Sequence, residues 1–345
     1  MVMIADILLF IVGLALILSG ANALTDGASS IAKRMKVSEL VIGLTIVAFG
    51  TSAPELAVSA ISAIKGSGDI ALGNVVGSNL FNTLMIIGCT VLVRPLKVSR
   101  LLIKKEIPLC ILASFVLILL CADATEGCVA GGLSRTDGLV LLCFMAIFLS
   151  HTFSIAAGEE QKASVPAANG VCCANGSTAA NGGCGADAAA ESGIKEMPLW
   201  RAILFSIGGL LFLIAGGESF VRGASGLARA LGASESLIAV TIVAGGTSLP
   251  ELATSVVAAL KGRSEMAVGN VVGSNLFNIF LILGLSSTIS PIKLAGIGAI
   301  DLGMVLLSSI VLWFVGVFYK ERTITRAEGA LMIALYVAYT LYLIL

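Results

Sequence analysis

Long apolar runs alternate with short polar breaks along almost the whole chain. A run of roughly 20 residues crosses about 30 Å of hydrocarbon. Runs of that order lie at 4–24, 38–64, 69–93, 101–122, 136–156, 199–220, 234–260, 266–290, 296–318 and 326–344. They predict ten transmembrane helices, five on each side of a polar interruption. That interruption, Gly158 to Glu196, is rich in Ala, Gly and Asn and reads as a flexible linker. The predicted class is an all-α membrane protein, with one half over 1–157, the linker over 158–197 and a second half over 198–345. The residues before the first run carry no basic segment and no small-residue cleavage site. That run is therefore read as a retained span rather than a signal.

One stretch inside this pattern occurs twice. Residues 45–56 read TIVAFGTSAPEL and residues 73–82 read GNVVGSNLFN. Residues 241–252 read TIVAGGTSLPEL and residues 269–278 read GNVVGSNLFN. The offset is 196 throughout, and aligning 43–88 on 239–284 leaves 28 of 46 positions identical. The period is too long for a solenoid and marks a duplicated half. Five spans per half is an odd number, so the second half enters the membrane facing the other way. The expectation is two inverted-topology repeats, with a site near the midplane where they meet.

Composition agrees with lipid as the solvent. Apolar residues make up 57% of the chain and charged residues 12%, with a mean hydropathy of +1.03, against about 25% charge in a soluble domain. The formal net charge is zero, which gives no footing for nucleic acid. Lys and Arg favour cytoplasmic loops. With the N-terminus outside, 16 of them fall inside and 5 outside. The expected topology puts both termini outside and the linker in the cytoplasm, with the cell (inner) membrane as the location. Cys89, Cys110, Cys121 and Cys143 read as apolar filler. Cys128 sits near a membrane edge. Cys172, Cys173 and Cys184 fall in the linker without CxxC spacing or a nearby histidine.

Two acids sit centrally in the predicted spans, Glu55 and Glu251, while Asp69, Glu106, Glu265 and Asp301 are placed near span ends within reach of interfacial water. A carboxylate at membrane centre is functional by default. A structural ion pair is the bland alternative, but no Lys or Arg near the middle of any span offers it a partner. Pro54 and Pro250 should break their helices, with Gly50 and Gly246 just upstream. Carbonyls near Ala48, Thr51, Ala244 and Thr247 should then come free, which is tolerated at depth only where backbone is buried or lines a wet cavity. In the second element, Asn74, Ser78 and Asn82 recur every four residues and so share a helical face, as do Asn270, Ser274 and Asn278. Gly73, Gly77, Gly269 and Gly273 permit close helix approach. The donor set is carboxylate, hydroxyl, amide oxygen and carbonyl. Such donors suit a hard cation such as Ca²⁺, which takes 6–8 oxygens, and disfavour soft metals. Two glutamates would neutralise one Ca²⁺, or face Na⁺ or protons on the return step.

The paired Gly-Thr-Ser-x-Pro-Glu and Gly-Asn-x-x-Gly-Ser-Asn-x-x-Asn segments resemble the α-repeats of the sodium/calcium exchanger family of cation/Ca²⁺ antiporters. The motifs cover about a quarter of the chain. The resemblance implies Ca²⁺ coordination by Glu55 and Glu251 with the carbonyls of Thr51 and Thr247. It implies Na⁺ sites drawing on those glutamates, Ser52, Ser248, Ser78, Ser274, Asn82 and the Ala48 and Ala244 carbonyls, with Asn278 at the matching position of the second copy. It also implies that the first and sixth helices slide across a fixed core. Many family members carry aspartate where this chain has Asn278, so a third charge is missing.

The expected function is Ca²⁺/Na⁺ exchange by alternating access. Ca²⁺/H⁺ exchange is the alternative, and a cation channel ranks below both. The residues offer no nucleophile–base pair and no histidine cluster, so the chain is not read as an enzyme and no cofactor is expected. His151, the single histidine, reads as an interfacial side chain. One chain supplies both half-sites, so a monomer is sufficient.

Overall fold

The structure, a computed structural model, describes residues 2–122, 131–164, 197–232, 244–294, 296–318 and 322–344. It is helical almost throughout. The first half holds α1 (Val2–Met35), α2 (Glu39–Thr51), α3 (Ala53–Ile64), α4 (Gly68–Val93), α5 (Leu102–Ala122) and α6 (Arg135–Ser164). The second holds α7 (Leu199–Ala230), the single turn α8 (Ala244–Gly246), α9 (Leu249–Leu260), α10 (Ser264–Ile289), α11 (Ala299–Phe318) and α12 (Arg326–Ile344). Every predicted span is helical over most of its described residues, the exceptions being span ends such as 296–298 and the breaks at Ser52 and at Thr247 and Ser248. The first part of the seventh span, the linker cysteines Cys172, Cys173 and Cys184, and Cys128 lie outside the described residues. Seven of the described helices are long and apolar enough to cross a membrane, eight if α2 and α3 form one broken span. The chain is an integral membrane protein.

Helices α4 and α10 form the centre and are buried along most of their length, whereas α1 turns most of its surface outward. Helices α1 and α7 are longer than the expected 4–24 and 199–220. They run antiparallel along a glycine seam. An added Cβ at Gly20 would come within 2.6 Å of the Gly209 carbonyl oxygen. One at Gly27 would meet Ala202 and Ser206, and one at Gly13 would meet Gly216 and Phe220. In this seam Gly13, Gly20 and Gly27 stand 196 positions before Gly209, Gly216 and Gly223. Small residues at such spacing let backbones touch where lipid offers no hydrophobic drive between helices.

Two short ladders tie the halves together. Strand β1 (Leu96–Lys97) pairs antiparallel with β4 (Thr323–Ile324), and β2 (Gly132–Leu133) with β3 (Ile292–Lys293). An ion cluster fastens α1 to the α9–α10 turn. Lys261 Nζ lies 2.8 Å from Asp26, and Arg263 reaches Asp26 at 3.3 Å and Glu39 at 3.6 Å. Arg263 also donates to the Thr25 carbonyl at 2.6 Å, and Ser29 donates to Glu39 at 2.9 Å.

Two expectations fail. Glu106 is not within reach of water: it is 0% exposed, because α5 packs its first turns inward, and both carboxylate oxygens lack a hydrogen-bond partner. His151 Nδ1 lies 3.8 Å from its Oε1. Cys143 is exposed rather than buried, since it stands on the outward face of α6; Cys110 and Cys121 are buried and Cys89 is partly so.

Candidate ion-binding site

The site forms where the two broken helices face each other. Helices α2 and α3 meet at a 48° bend, with Ser52 at the joint (φ −81°, ψ 5°). Ser248 occupies the same place before α9 (φ −91°, ψ 9°). Pro54 and Pro250 lie in the first turn of the new helix, where a missing N–H is harmless. The donor lost at Pro54 is the one that would reach the Gly50 carbonyl four residues back. Contrary to the expectation from sequence, the Ala48 carbonyl is not freed: it accepts from Ser52 N–H at 3.0 Å, because the α-helical ladder runs on to Ser52. It keeps a second lone pair for other use. Glu55 and Glu251 stand in the first turns of α3 and α9, where the helix dipole favours an anion.

Neither serine caps its own helix. Each reaches across to the other half instead. Ser52 Oγ donates to Glu251 Oε1 at 3.0 Å, and Ser248 Oγ donates to Glu55 Oε1 at 3.0 Å. Ser248 Oγ also lies 3.4 Å from Ser78 Oγ. Thr51 Oγ1 donates to Asn270 Oδ1 at 3.2 Å. Each glutamate is 1% exposed, and among the described residues neither meets a cation.

The remaining oxygens carry the information. Glu55 Oε2, Glu251 Oε2, Asn82 Oδ1, Asn278 Oδ1, Ser274 Oγ and Thr247 Oγ1 are buried without a hydrogen-bond partner. Unpaired buried polar groups are rare in native proteins and call for an explanation. All six belong to the twelve residues named from sequence, and each is an oxygen of the kind a hard cation takes. Among the described residues, no group of three or more His, Cys, Asp or Glu is gathered. Ala244 begins the turn α8; its side chain lies outside the described residues.

Asn74 and Asn270 part from the other members of the expected polar faces. Asn74 Nδ2 donates to Ser59 Oγ at 3.0 Å and to the Glu55 carbonyl at 3.4 Å. Asn270 repeats this with Ser255 at 3.0 Å and the Glu251 carbonyl at 3.4 Å. Both brace the glutamate-bearing turn. Asn74 and Ser78, like Asn270 and Ser274, stand in regular α-helix, and π-helical turns begin just beyond them, in α4 at Phe81–Ile86 and in α10 at Phe277–Leu283. Each inserted residue shifts the register, and such turns cluster at functional sites. Gly269 and Gly273 do pack closely, on Leu40, Leu44 and Ala48 of α2. A cavity of about 370 Å³, lined by Val58, Ile70, Gly73, Asn74, Gly77, Ser78, Phe81 and Tyr336, reaches the edge of the site. Sequence reasoning missed Asn79, Thr83 and Asn275, all buried between α4 and α10. Their signal was the fully identical ten-residue segment in which Asn79 and Asn275 lie.

The sequence model of the sodium/calcium exchanger protein family matches residues 5–154 and 201–345, both halves without the linker. Among curated proteins, the chain is 36% identical to CaxA of Alkalimonas amylolytica over 95% of each chain. It is 32% identical to the sodium/calcium exchanger MaX1 of Methanosarcina acetivorans over 98% of each. Among solved structures, it is similar to the sodium-calcium exchanger NCX_Mj soaked with zero Na⁺ and Ca²⁺. The TM-score is 0.77 at 29% identity, covering 99% of this chain and 100% of that one. With both motif copies inside the matched segments and the fold shared end to end, this chain belongs to the sodium/calcium exchanger protein family.

Proposed function

We propose that the protein is a secondary active antiporter exchanging Ca²⁺ for Na⁺ by alternating access. The observation that carries this reading is the set of unpartnered oxygens on Glu55, Glu251, Asn82, Asn278, Ser274 and Thr247. Two carboxylates balance one Ca²⁺, and the neutral oxygens complete its shell. On the return step Na⁺ ions on the same carboxylates keep two negative charges from standing bare in a low dielectric. Ser52, Ser248, Thr51 and Ser78 complete the ligand set or orient it, with the carbonyls of Ala48 and Ala244 as further donors.

The architecture assigned to this function is ten spans in two inverted repeats, 1–157 and 198–345, joined by a cytoplasmic linker. Its support is the antiparallel seam of α1 with α7, the 196-residue offset of the seam glycines, and the reciprocal serine–glutamate bonds. The Lys and Arg distribution supports both termini outside, in a cell (inner) membrane.

The test is ⁴⁵Ca uptake into proteoliposomes with Na⁺, K⁺ and H⁺ gradients imposed one at a time. A Na⁺ gradient should drive uptake, and Glu55→Gln or Glu251→Gln should abolish it. Normal uptake in either variant would remove the site assignment. A second reading, Ca²⁺/H⁺ exchange, is favoured by the neutral Asn82 and Asn278, which leave only two acids; a pH gradient alone would then drive flux.

A further inference from the structure

We propose that Asn79 is a positioning residue that fixes the amide of Asn278 with its oxygen toward the transported cation. The inference rests on the exchange reading and assigns a role that the ligand set does not contain. Asn79 is the last residue but one of the regular part of α4, two residues before the π-helical turn that opens at Phe81, and Asn278 is the second residue of the π-helical turn in α10. Asn79 Nδ2 donates to the Asn275 main-chain carbonyl at 3.5 Å. Asn79 Oδ1 accepts from Asn278 Nδ2 at 3.0 Å. Asn278 Oδ1 is left buried without a partner. Asn79 and Asn278 are each 1% exposed, so water does not substitute for these contacts.

The polarity of this chain of bonds has one origin. A main-chain carbonyl can only accept, so it takes the NH₂ end of Asn79. The oxygen of Asn79 must then face residue 278. Residue 278 must donate there, and an amide that donates with its nitrogen presents its oxygen on the other side. An ionised aspartate at 278 has no hydrogen to give. It would set two acceptors against each other at the 3.0 Å separation now bridged by a hydrogen bond. The surroundings of position 278 therefore select the neutral amide, and they hold it in the one orientation useful to a cation.

The duplicate position provides an internal control. By the 196-residue offset Asn275 corresponds to Asn79, and Asn82 to Asn278. Asn275 does not hold Asn82. Its Nδ2 donates to Thr83 Oγ1 at 2.7 Å, and the corresponding position in the second copy is Ile279. Among the described residues, Asn278 is held by its facing asparagine, whereas Asn82 is not held by Asn275.

The test is a double-mutant cycle on the full-length protein in proteoliposomes, reading the Ca²⁺ concentration for half-maximal uptake. The same cycle is read by the Ca²⁺-dependent rise in melting temperature of purified protein. Asn79→Ala is expected to raise half-saturation about tenfold, by leaving the Asn278 amide free to turn. Asn278→Ala raises it at least as much, and the double variant no further than Asn278→Ala alone. Asn79→Leu, which keeps the volume, repeats the result if the alanine variant folds poorly. Additive losses, or unchanged half-saturation in both Asn79 variants, overturn the proposal. A wild-type protein with neither uptake nor a Ca²⁺-dependent shift overturns the exchange reading itself, which separates the two failures.

Discussion

The hydroxyl of Ser248 lies 3.0 Å from the carboxylate of Glu55, across the boundary between the two halves. The reciprocal bond from Ser52 to Glu251 has the same length. Each acid is oriented by the opposite half, so neither half can present a finished carboxylate alone. A hydrogen bond to a buried charged group is worth about 1.5–3 kcal/mol. Ser248→Ala and Ser52→Ala should each weaken Ca²⁺ binding by roughly ten- to a hundredfold. Calorimetric titration of purified protein checks this, and affinities within a factor of two of wild type would show that the serines are passive.

The helix break is the second test. Pro54→Ala restores a donor that can reach the Gly50 carbonyl and join α2 to α3. The joined helix would carry Glu55 away from Ser248. The expected outcome is a folded, membrane-inserted protein with little ⁴⁵Ca uptake, and Pro250→Ala should match it. Uptake at the wild-type rate in both would mean that the 48° bend does not depend on the prolines.

Glu106 gives a prediction of opposite sign. Its two carboxylate oxygens are buried without a hydrogen-bond partner, and it lies outside the candidate site. Replacing an unsatisfied buried polar group by an apolar one of similar shape is neutral or stabilising. Glu106→Met should raise the melting temperature by a few degrees and leave Ca²⁺ half-saturation unchanged. A fall in the melting temperature would show that Glu106 holds a contact that matters to the fold.

The ion cluster around Arg263 should behave differently from a surface pair. Arg263 is 9% exposed and Asp26 is 41% exposed. Asp26→Asn leaves a mostly buried guanidinium with Glu39 as its remaining acid. Allowing for the solvent that reaches Asp26, the expected loss is about 1–2 kcal/mol of stability. Denaturation of the purified variant alongside Lys261→Gln would measure it, and the lysine change should weigh less because Arg263 keeps its bond to Asp26.

The sequence made the centre legible and the seams illegible, for physical reasons. Glu55, Glu251 and the two broken helices stood out because charge and proline are expensive in hydrocarbon, and a duplicated motif repeats the anomaly. Asn79 and Asn275 gave no such contrast: as members of a polar run they looked like neighbours of the ligands, and only the direction of their hydrogen bonds distinguishes them. The seam of Gly13, Gly20 and Gly27 was hidden because glycine in an apolar run carries no periodic hydropathy signal. Glu106 was misjudged because distance along a helix from its end does not measure depth; the packing of α5 and α6 decides that.

Among the described residues, the fastening of Asp26 to Lys261 and Arg263 has no twin at the matching positions of the other half. The positions related by the 196-residue offset are Arg222, Lys65 and Ser67, and Arg222 turns instead to Glu218 on its own helix. Two like charges cannot replace a bridge. In the proposed alternating-access cycle, such an unmatched clasp would favour the posture in which it is closed. Half-saturating Ca²⁺ concentrations measured from the two faces should then be unequal, while the gradient at which net flux stops is set by the ions alone.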